Sequence, residues 1–238
     1  MASSLAVNAQ VTPSFHFVVR DRVCYCQWGK LMKTDVKFVS NLNELNAIYG
    51  DPLDLVKMKT LPKLEKHCRA FIALSPFVTL ATSGADGMTD VSPRGDAPGF
   101  VAVLDDETLV IPDRPGNKRV DSMTNIVENP NVGLLFFVPG MNETLRVNGK
   151  ARITDDAALL EPLAVNSRAP AAGIVVQIEE AFLHCAKACI RSKLWHPDSQ
   201  IDRKAFPTLG KMIADQLGGL EADAADEMIN QDYRDNLY

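Results

Sequence analysis

Short runs of β-branched and aromatic residues, each broken by Gly, Pro, Asn or Asp, dominate the middle of the chain. Phe77–Ser83 and Thr89–Ser92 flank Gly84-Ala85-Asp86-Gly87 and predict a hairpin, because glycine and aspartate accept the backbone angles of tight turns. Phe100–Leu104 and Thr108–Ile111 around Asp105-Asp106-Glu107 predict a second hairpin. Val132–Val138 and Thr144–Ile153 around Pro139-Gly140-Met141-Asn142 predict a third, and Ile174–Ile178 a further strand. Helical signals lie outside and between these runs. Asn41 caps a short helix, with Glu44 three residues later completing a capping box and Gly50 ending it. Leu64, Cys68, Phe71 and Ile72 recur at helical spacing between Pro62 and Leu74, and Ser75-Pro76 closes that segment. Further helices are expected over Lys118–Val127, Ala157–Ala164, Ala186–Leu194, Leu209–Leu217 and Leu220–Asn236. Six or so antiparallel strands with peripheral helices give a mainly β fold, a small closed or split β-barrel. A barrel of this size is filled by its own side chains, so a large ligand would sit on its outer face or between two copies.

Composition narrows the picture. The 238 residues are 46% apolar and 23% charged, as in ordinary globular chains. The formal net charge of −5 argues against nonspecific nucleic-acid binding, so any anion site is built locally. The five cysteines, Cys24, Cys26, Cys68, Cys185 and Cys189, lack Cys-x-x-Cys spacing and read as reduced thiols rather than a disulfide framework or a zinc site. No metal site is expected. The chain has no apolar run long enough for a bilayer and no secretory start, so a cytoplasmic location without membrane attachment is the expectation. Three parts are expected: an N-terminal extension of unpredicted structure over 1–36, a barrel domain over 37–200 and a helical segment over 201–238. The extension carries Phe15, Phe17, Arg20, Arg22, Cys24 and Trp28 without a sustained period.

Three patches join basic residues to turn chemistry at strand ends. In Asp90-Val91-Ser92-Pro93-Arg94-Gly95-Asp96 a strand ends in an arginine beside a glycine, offering a planar cation with room for close approach by a phosphate. The alternative is a surface pair of Arg94 with Asp90 or Asp96. The run Ile111-Pro112-Asp113-Arg114-Pro115-Gly116-Asn117-Lys118-Arg119 leaves a strand and is expected to open a helix at Asn117. That would place Lys118 and Arg119 where free amides and the helix dipole favour an anion, although as solvated side chains they need no ligand. Finally, Glu143 to Arg152 alternates as a half-exposed strand, with Thr144, Arg146, Asn148 and Lys150 on one face that could meet a ligand or a second subunit.

Ser92-Pro93-Arg94-Gly95, Ile111–Arg119, Asn129-Pro130-Asn131-Val132-Gly133-Leu134-Leu135-Phe136 and Thr144-Leu145-Arg146-Val147-Asn148-Gly149 together resemble the flavin mononucleotide (FMN) binding split barrels related to pyridoxamine 5'-phosphate oxidase. The resemblance runs from about residue 40 to Pro197 and is specific because four separated motifs agree. It implies a homodimer with FMN at the subunit interface, its phosphate held by Arg94, Lys118 and Arg119. Ile111, Pro112 and Asp113 would run along the isoalloxazine edge, and Thr144 and Arg146 would complete the partner's site. The segment Cys185-Ala186-Lys187-Ala188-Cys189-Ile190-Arg191-Ser192-Lys193-Leu194-Trp195 resembles a narrower bacterial branch of FMN-dependent enzymes. There Lys187, Arg191 and Ser192 could face one ligand and Trp195 could cover the flavin, while a structural tryptophan at a helix end is the alternative. His184 and His196 flank this segment and read as structural. The Arg-x-His pattern that true pyridoxamine-phosphate oxidases carry for the substrate phosphate is absent. The implied function is hydride transfer between FMN and an unidentified small molecule, with no side-chain nucleophile. The rivals are a flavin carrier or sensor, or a relative binding haem or a deazaflavin without turnover; a colourless structural dimer is a third class.

Overall fold

The computed structural model describes residues 36–238, so the N-terminal segment with Cys24, Cys26 and Trp28 lies outside the described residues. Contacts divide the chain into two compact units, residues up to Gly50 with Ile201–Pro207, and Asp51–Gln200 with Thr208–Tyr238. In the first unit, helix α1 (Leu42–Tyr49) starts where Asn41 Oδ1 accepts the Glu44 N–H at 3.0 Å. Glu44 reaches back one residue further than a simple capping box, taking the Ser40 N–H at 3.1 Å. Gly50, at φ 66°, ends the helix.

The second unit is built on one antiparallel sheet. Its strands are β1 (Phe77–Ser83), β2 (Thr89–Gly95), β3 (Ala102–Val103), β4 (Thr108–Pro112), β5 (Asn131–Phe137), β6 (Thr144–Thr154) and β7 (Gly173–His184), in the spatial order β2-β1-β5-β6-β7-β4-β3. Alternation explains the core. Val78 and Leu80, Leu134 and Phe136, Leu145 and Val147, and Ile174 and Val176 all point inward and are buried. Residues between them on each strand face outward and are half-exposed. β2 and β3 remain edges, so the sheet is open, and the expected mainly β split barrel with peripheral helices is the observed architecture.

The helices of this unit are α2 (Asp54–Met58), α3 (Lys66–Leu74), α4 (Asp121–Glu128), α5 (Ala157–Leu160), α6 (Lys187–Ser192), α7 (Leu209–Leu217) and α8 (Ala222–Asp235). α3 lays Cys68, Phe71 and Ile72 onto the core. It begins later than expected: Pro62 lies before the helix rather than in its first turn, Glu65 is the cap, accepting the Cys68 N–H at 2.9 Å, and Leu61 bridges to Ala181 of β7. β7 is more than twice the predicted length, because Glu179 and Glu180 break the apolar pattern but not the strand: the ladder to β6 passes over Glu179 and resumes with Glu180 opposite Asn148. The register of that ladder shifts between Asn148 and Gly149. Gly149 is required there: an added Cβ would lie 2.1 Å from the Gln177 carbonyl oxygen. The predicted strand over Phe100–Leu104 shrinks to Ala102–Val103, since Phe100 closes a turn onto the Ala97 carbonyl. Among the described residues no helix is long and apolar enough to cross a membrane, and no group of acidic, histidine and cysteine side chains could hold a metal. Cys68, Cys185 and Cys189 are free thiols.

Candidate functional site

Strand alternation places Asp90, Ser92 and Arg94 on the inward side of edge strand β2, opposite Thr82, Leu80 and Val78 of β1. No backbone partner covers that edge, and side chains take over. Arg94 Nη1 donates to Asp113 Oδ1 at 3.1 Å, and Arg114 Nε donates to Asp96 Oδ2 at 2.5 Å. The two pairs are reciprocal, since each links β2 or the residue after it to the chain leaving β4. Arg94 therefore pairs with neither Asp90 nor Asp96, the partners its sequence neighbourhood suggested. Asp90 instead accepts from Asn125 Nδ2 of α4 at 2.7 Å and from the Thr82 hydroxyl at 2.7 Å.

The run after β4 does not open a helix at Asn117. Lys118 and Val120 both take left-handed backbone angles, φ 59° and 49°, and α4 starts only at Asp121. Lys118 and Arg119 thus precede the helix rather than lying in its first turn. For a β-branched residue such as Val120 this conformation costs on the order of 1–3 kcal/mol and is found chiefly where a site needs it. Asn117 Oδ1 accepts the Arg119 N–H at 3.0 Å, so its side chain shapes the turn and leaves α4 with no side-chain cap. The free amides of the first turn of α4 therefore remain unspent by capping. Ser122 in that turn meets Ser92 of β2, hydroxyl to hydroxyl, at 3.0 Å.

Two adjoining cavities of about 370 and 320 Å³ open here, sharing Ser92, Arg94, Arg114, Gly116 and Asn117 in their walls. Both fall in the size range of small-molecule sites, about 300–1,000 Å³. Pro112 lines the first; Asp113, Lys118, Arg119 and the start of α4 line the second. Arg94 Nε is buried and has no hydrogen-bond partner. A buried donor in that state costs about 1–3 kcal/mol, which a bound acceptor would recover. Electrostatics differ on the two sides of the split. Burial raises the Asp113 carboxyl above the ordinary range, the Arg94 guanidinium only partly offsetting it. Burial acts on Asp96 too, but its bonds from the Ala97 N–H, the Tyr238 hydroxyl and Arg114 outweigh that and hold it below the ordinary range.

The predicted residues divide between these cavities and other parts of the barrel. The Ile111 side chain is fully buried in the core, Pro112 has no N–H, and the Asp113 N–H donates to the Ala172 carbonyl at 2.9 Å. What this segment presents to a ligand is the Asp113 carboxyl. Arg119 pairs with Asp121 at 2.5 Å in an exposed setting. Thr144 and Arg146 share the outward face of β6 with Asn148, as their alternation predicts, and do not line the Arg94 cavities. Arg146 Nη2 donates to Glu180, Asn148 Nδ2 donates to the same carboxylate at 3.3 Å, and Arg146 Nε is the second buried donor without a partner among the described residues. On α6, Lys187, Arg191 and Ser192 are exposed, and the Ser192 hydroxyl donates back to the Cys189 carbonyl. Trp195 is half-buried, its indole N–H donating to the Met141 carbonyl at 2.6 Å, three residues before Thr144. His196 caps the short turn after it, accepting the Asp198 N–H.

The model of the family described as pyridoxamine 5'-phosphate oxidase matches residues 64–185, just over half of the chain. The chain belongs to the pyridoxamine 5'-phosphate oxidase family. The matched segment contains all seven strands and both arginines with unpartnered Nε atoms. Among solved structures, a HupZ variant of Group A Streptococcus is 18% identical, with 50% of this chain and 98% of that one covered at a TM-score of 0.43. A candidate pyridoxamine 5'-phosphate oxidase from Lactobacillus delbrueckii is 27% identical over 52% of this chain and 99% of that one, with a TM-score of 0.41. An FMN-binding protein from Syntrophomonas wolfei is 10% identical over 49% and 81%, with a TM-score of 0.38. No curated protein matches the sequence. Within the family segment, sequence reasoning missed Asp96, Arg114 and Ser122. Nothing in their spacing marks them, because each acquires its partner only when β2, the post-β4 loop and α4 converge at the split.

Proposed function

We propose that the protein is an FMN-dependent oxidoreductase that works as a homodimer on a small molecule. The observation that carries this reading is the buried, unpartnered Nε of Arg94, set in a cavity wall with Lys118, Arg119 and the uncapped start of α4. A phosphate monoester fits that donor set. It offers several acceptor oxygens to a guanidinium and free helix amides, and its charge offsets the two basic residues. When bound, FMN supplies hydride exchange at its ring system. The chain's own part is to grip and orient: Arg94, Lys118 and Arg119 at the phosphate, and Asp113 and Pro112 beyond it. The outward face with Thr144 and Arg146 completes the site of the second protomer. Trp195, tied to Met141, travels with that strand and covers the ring, with Lys187 and Ser192 near it on α6.

The test is an absorption spectrum of the native protein with mass identification of the released ligand, followed by FMN titration of the stripped protein. A yellow protein that releases FMN, and is bleached by a reduced nicotinamide, is the expected result. A haem spectrum, or a colourless protein that ignores added FMN, would overturn the proposal.

A further inference from the structure

A second cluster of cations lies on the outward face of β6 and β7, and its charges do not balance. Leu61 exchanges both main-chain hydrogen bonds with Ala181, which lays residues 59–61 along β7 and brings the Lys59 amine to the Leu183 carbonyl at 3.0 Å. The same amine sits 4.6 Å from the centroid of the Phe182 ring. The Arg146 guanidinium lies 5.2 Å from that centroid, and register pairs Arg146 directly with Phe182. One aromatic ring thus carries two fixed cations. Against them stands one carboxylate, Glu180, which already accepts from both Arg146 and Asn148. His184, paired in register with Thr144, packs its ring edge-on against Phe182 at 4.9 Å. Its burial, with Arg146 and Lys59 nearby, lowers its pKa against the opposing pull of Glu180, so the imidazole adds no third charge at neutral pH.

Two cations and one anion leave a single positive charge, and Arg146 Nε is a buried donor awaiting an acceptor. Arg94 has the same signature on the inner side of the barrel: one terminal nitrogen on an aspartate, its Nε unspent. We infer that the Arg146–Lys59–Phe182 cluster is a second anion site, built for the carboxylate of a small organic molecule whose apolar body packs beside the Phe182 ring. A monoanion balances the residual charge, whereas a phosphate dianion overshoots it. The inference rests on the reading in which this face completes the flavin site of the second protomer, and makes the carboxylate the recognition handle of the substrate.

Isothermal titration of the full-length protein at low ionic strength, with benzoate and with inorganic phosphate as separate probes, tests it. Benzoate is expected to bind at this face more tightly than phosphate. Affinity for benzoate should fall at least ten-fold in Arg146→Gln and several-fold in Lys59→Met, an exposed position whose replacement leaves the core untouched. Equal benzoate affinity in wild type and both variants, no benzoate binding in protein that does bind FMN, or preference for phosphate would overturn the site. Benzoate binding that follows the variants in protein that does not bind FMN would support the site and sink the flavin reading instead, so the two failures are distinguishable.

Discussion

The long seam between β6 and β7 and the split beside β2 hold the same barrel together by different means. Along the seam, backbone pairing runs from Thr144 opposite His184 to Thr154 opposite Gly173, with one register shift. At the split there is no ladder, and two reciprocal arginine–aspartate pairs span the gap. A ladder spends the backbone donors of the residues it pairs. Side-chain pairs leave nitrogens over, Arg94 Nε at the split and Arg146 Nε on the face of the seam alike, and the cavities that Arg94 lines open where the ladder is missing.

The sharpest way to break the contrast is at the seam. Gly149→Ala sets a methyl 2.1 Å from the Gln177 carbonyl oxygen, so the strands must part. A loss of roughly 3 kcal/mol or more in urea unfolding is expected, in line with other large overpacking and strain effects. An unchanged midpoint would mean that the register can move at no cost. At the split the largest effect should appear in binding rather than stability. Arg94→Ala with Arg119→Ala removes two charge-assisted contacts, each worth roughly 1.5–3 kcal/mol. FMN affinity, read from flavin fluorescence, should drop at least a hundred-fold while the protein stays folded. Retained affinity in the folded double variant would remove the phosphate assignment.

Arg114→Met tests the second pair. It strands Asp96, whose side chain is 3% exposed, and should cost about 3 kcal/mol, the lower end for breaking a buried pair. A cost no larger than that of an exposed pair, about 0–1 kcal/mol, would show that the Ala97 and Tyr238 bonds suffice for Asp96.

The smallest effect is in pH dependence, where the two aspartates differ in sign. Asp96 has a folded pKa below its unfolded value, so its stabilisation is full above the unfolded pKa and is lost as pH falls through the folded one. Asp113 has a raised folded pKa, so folding favours its protonated form, and its stability cost grows as pH rises from the unfolded value through the folded one. Asp96→Asn should flatten the loss of stability below about pH 4. Asp113→Asn should instead remove a fall in stability on the alkaline side of that value. Parallel unfolding curves for the two variants would contradict the opposite shifts.

Where local chemistry decides, the sequence was readable. β1 with its Gly84–Gly87 turn, the bounds of α7, and the Asn41 cap were all legible, because each depends on residues within a few positions of one another. Asn117 misled for the same reason. It has the residue type of a helix cap, yet its side chain serves a turn in which Lys118 and Val120 go left-handed, a conformation no local preference favours. Arg94 was legible as the arginine that ends β2, but its partner was not, since Asp113 is 19 positions away and meets it only in the folded barrel. The Lys59–Phe182–Arg146 cluster was illegible altogether, because the segment that delivers Lys59 joins β7 through a single bridge at Leu61.

One tie sets the spacing between the two walls of the split. Asn125 of α4 donates both to Asp90 of β2 and to Thr82 of β1, so the helix is bolted to the first hairpin at a point two strand positions from Ser92. Arg94 rides on that hairpin, and the free amides ride on the helix. The hydrogen bonds of one asparagine thus fix how far the start of the helix lies from the strand that carries the arginine.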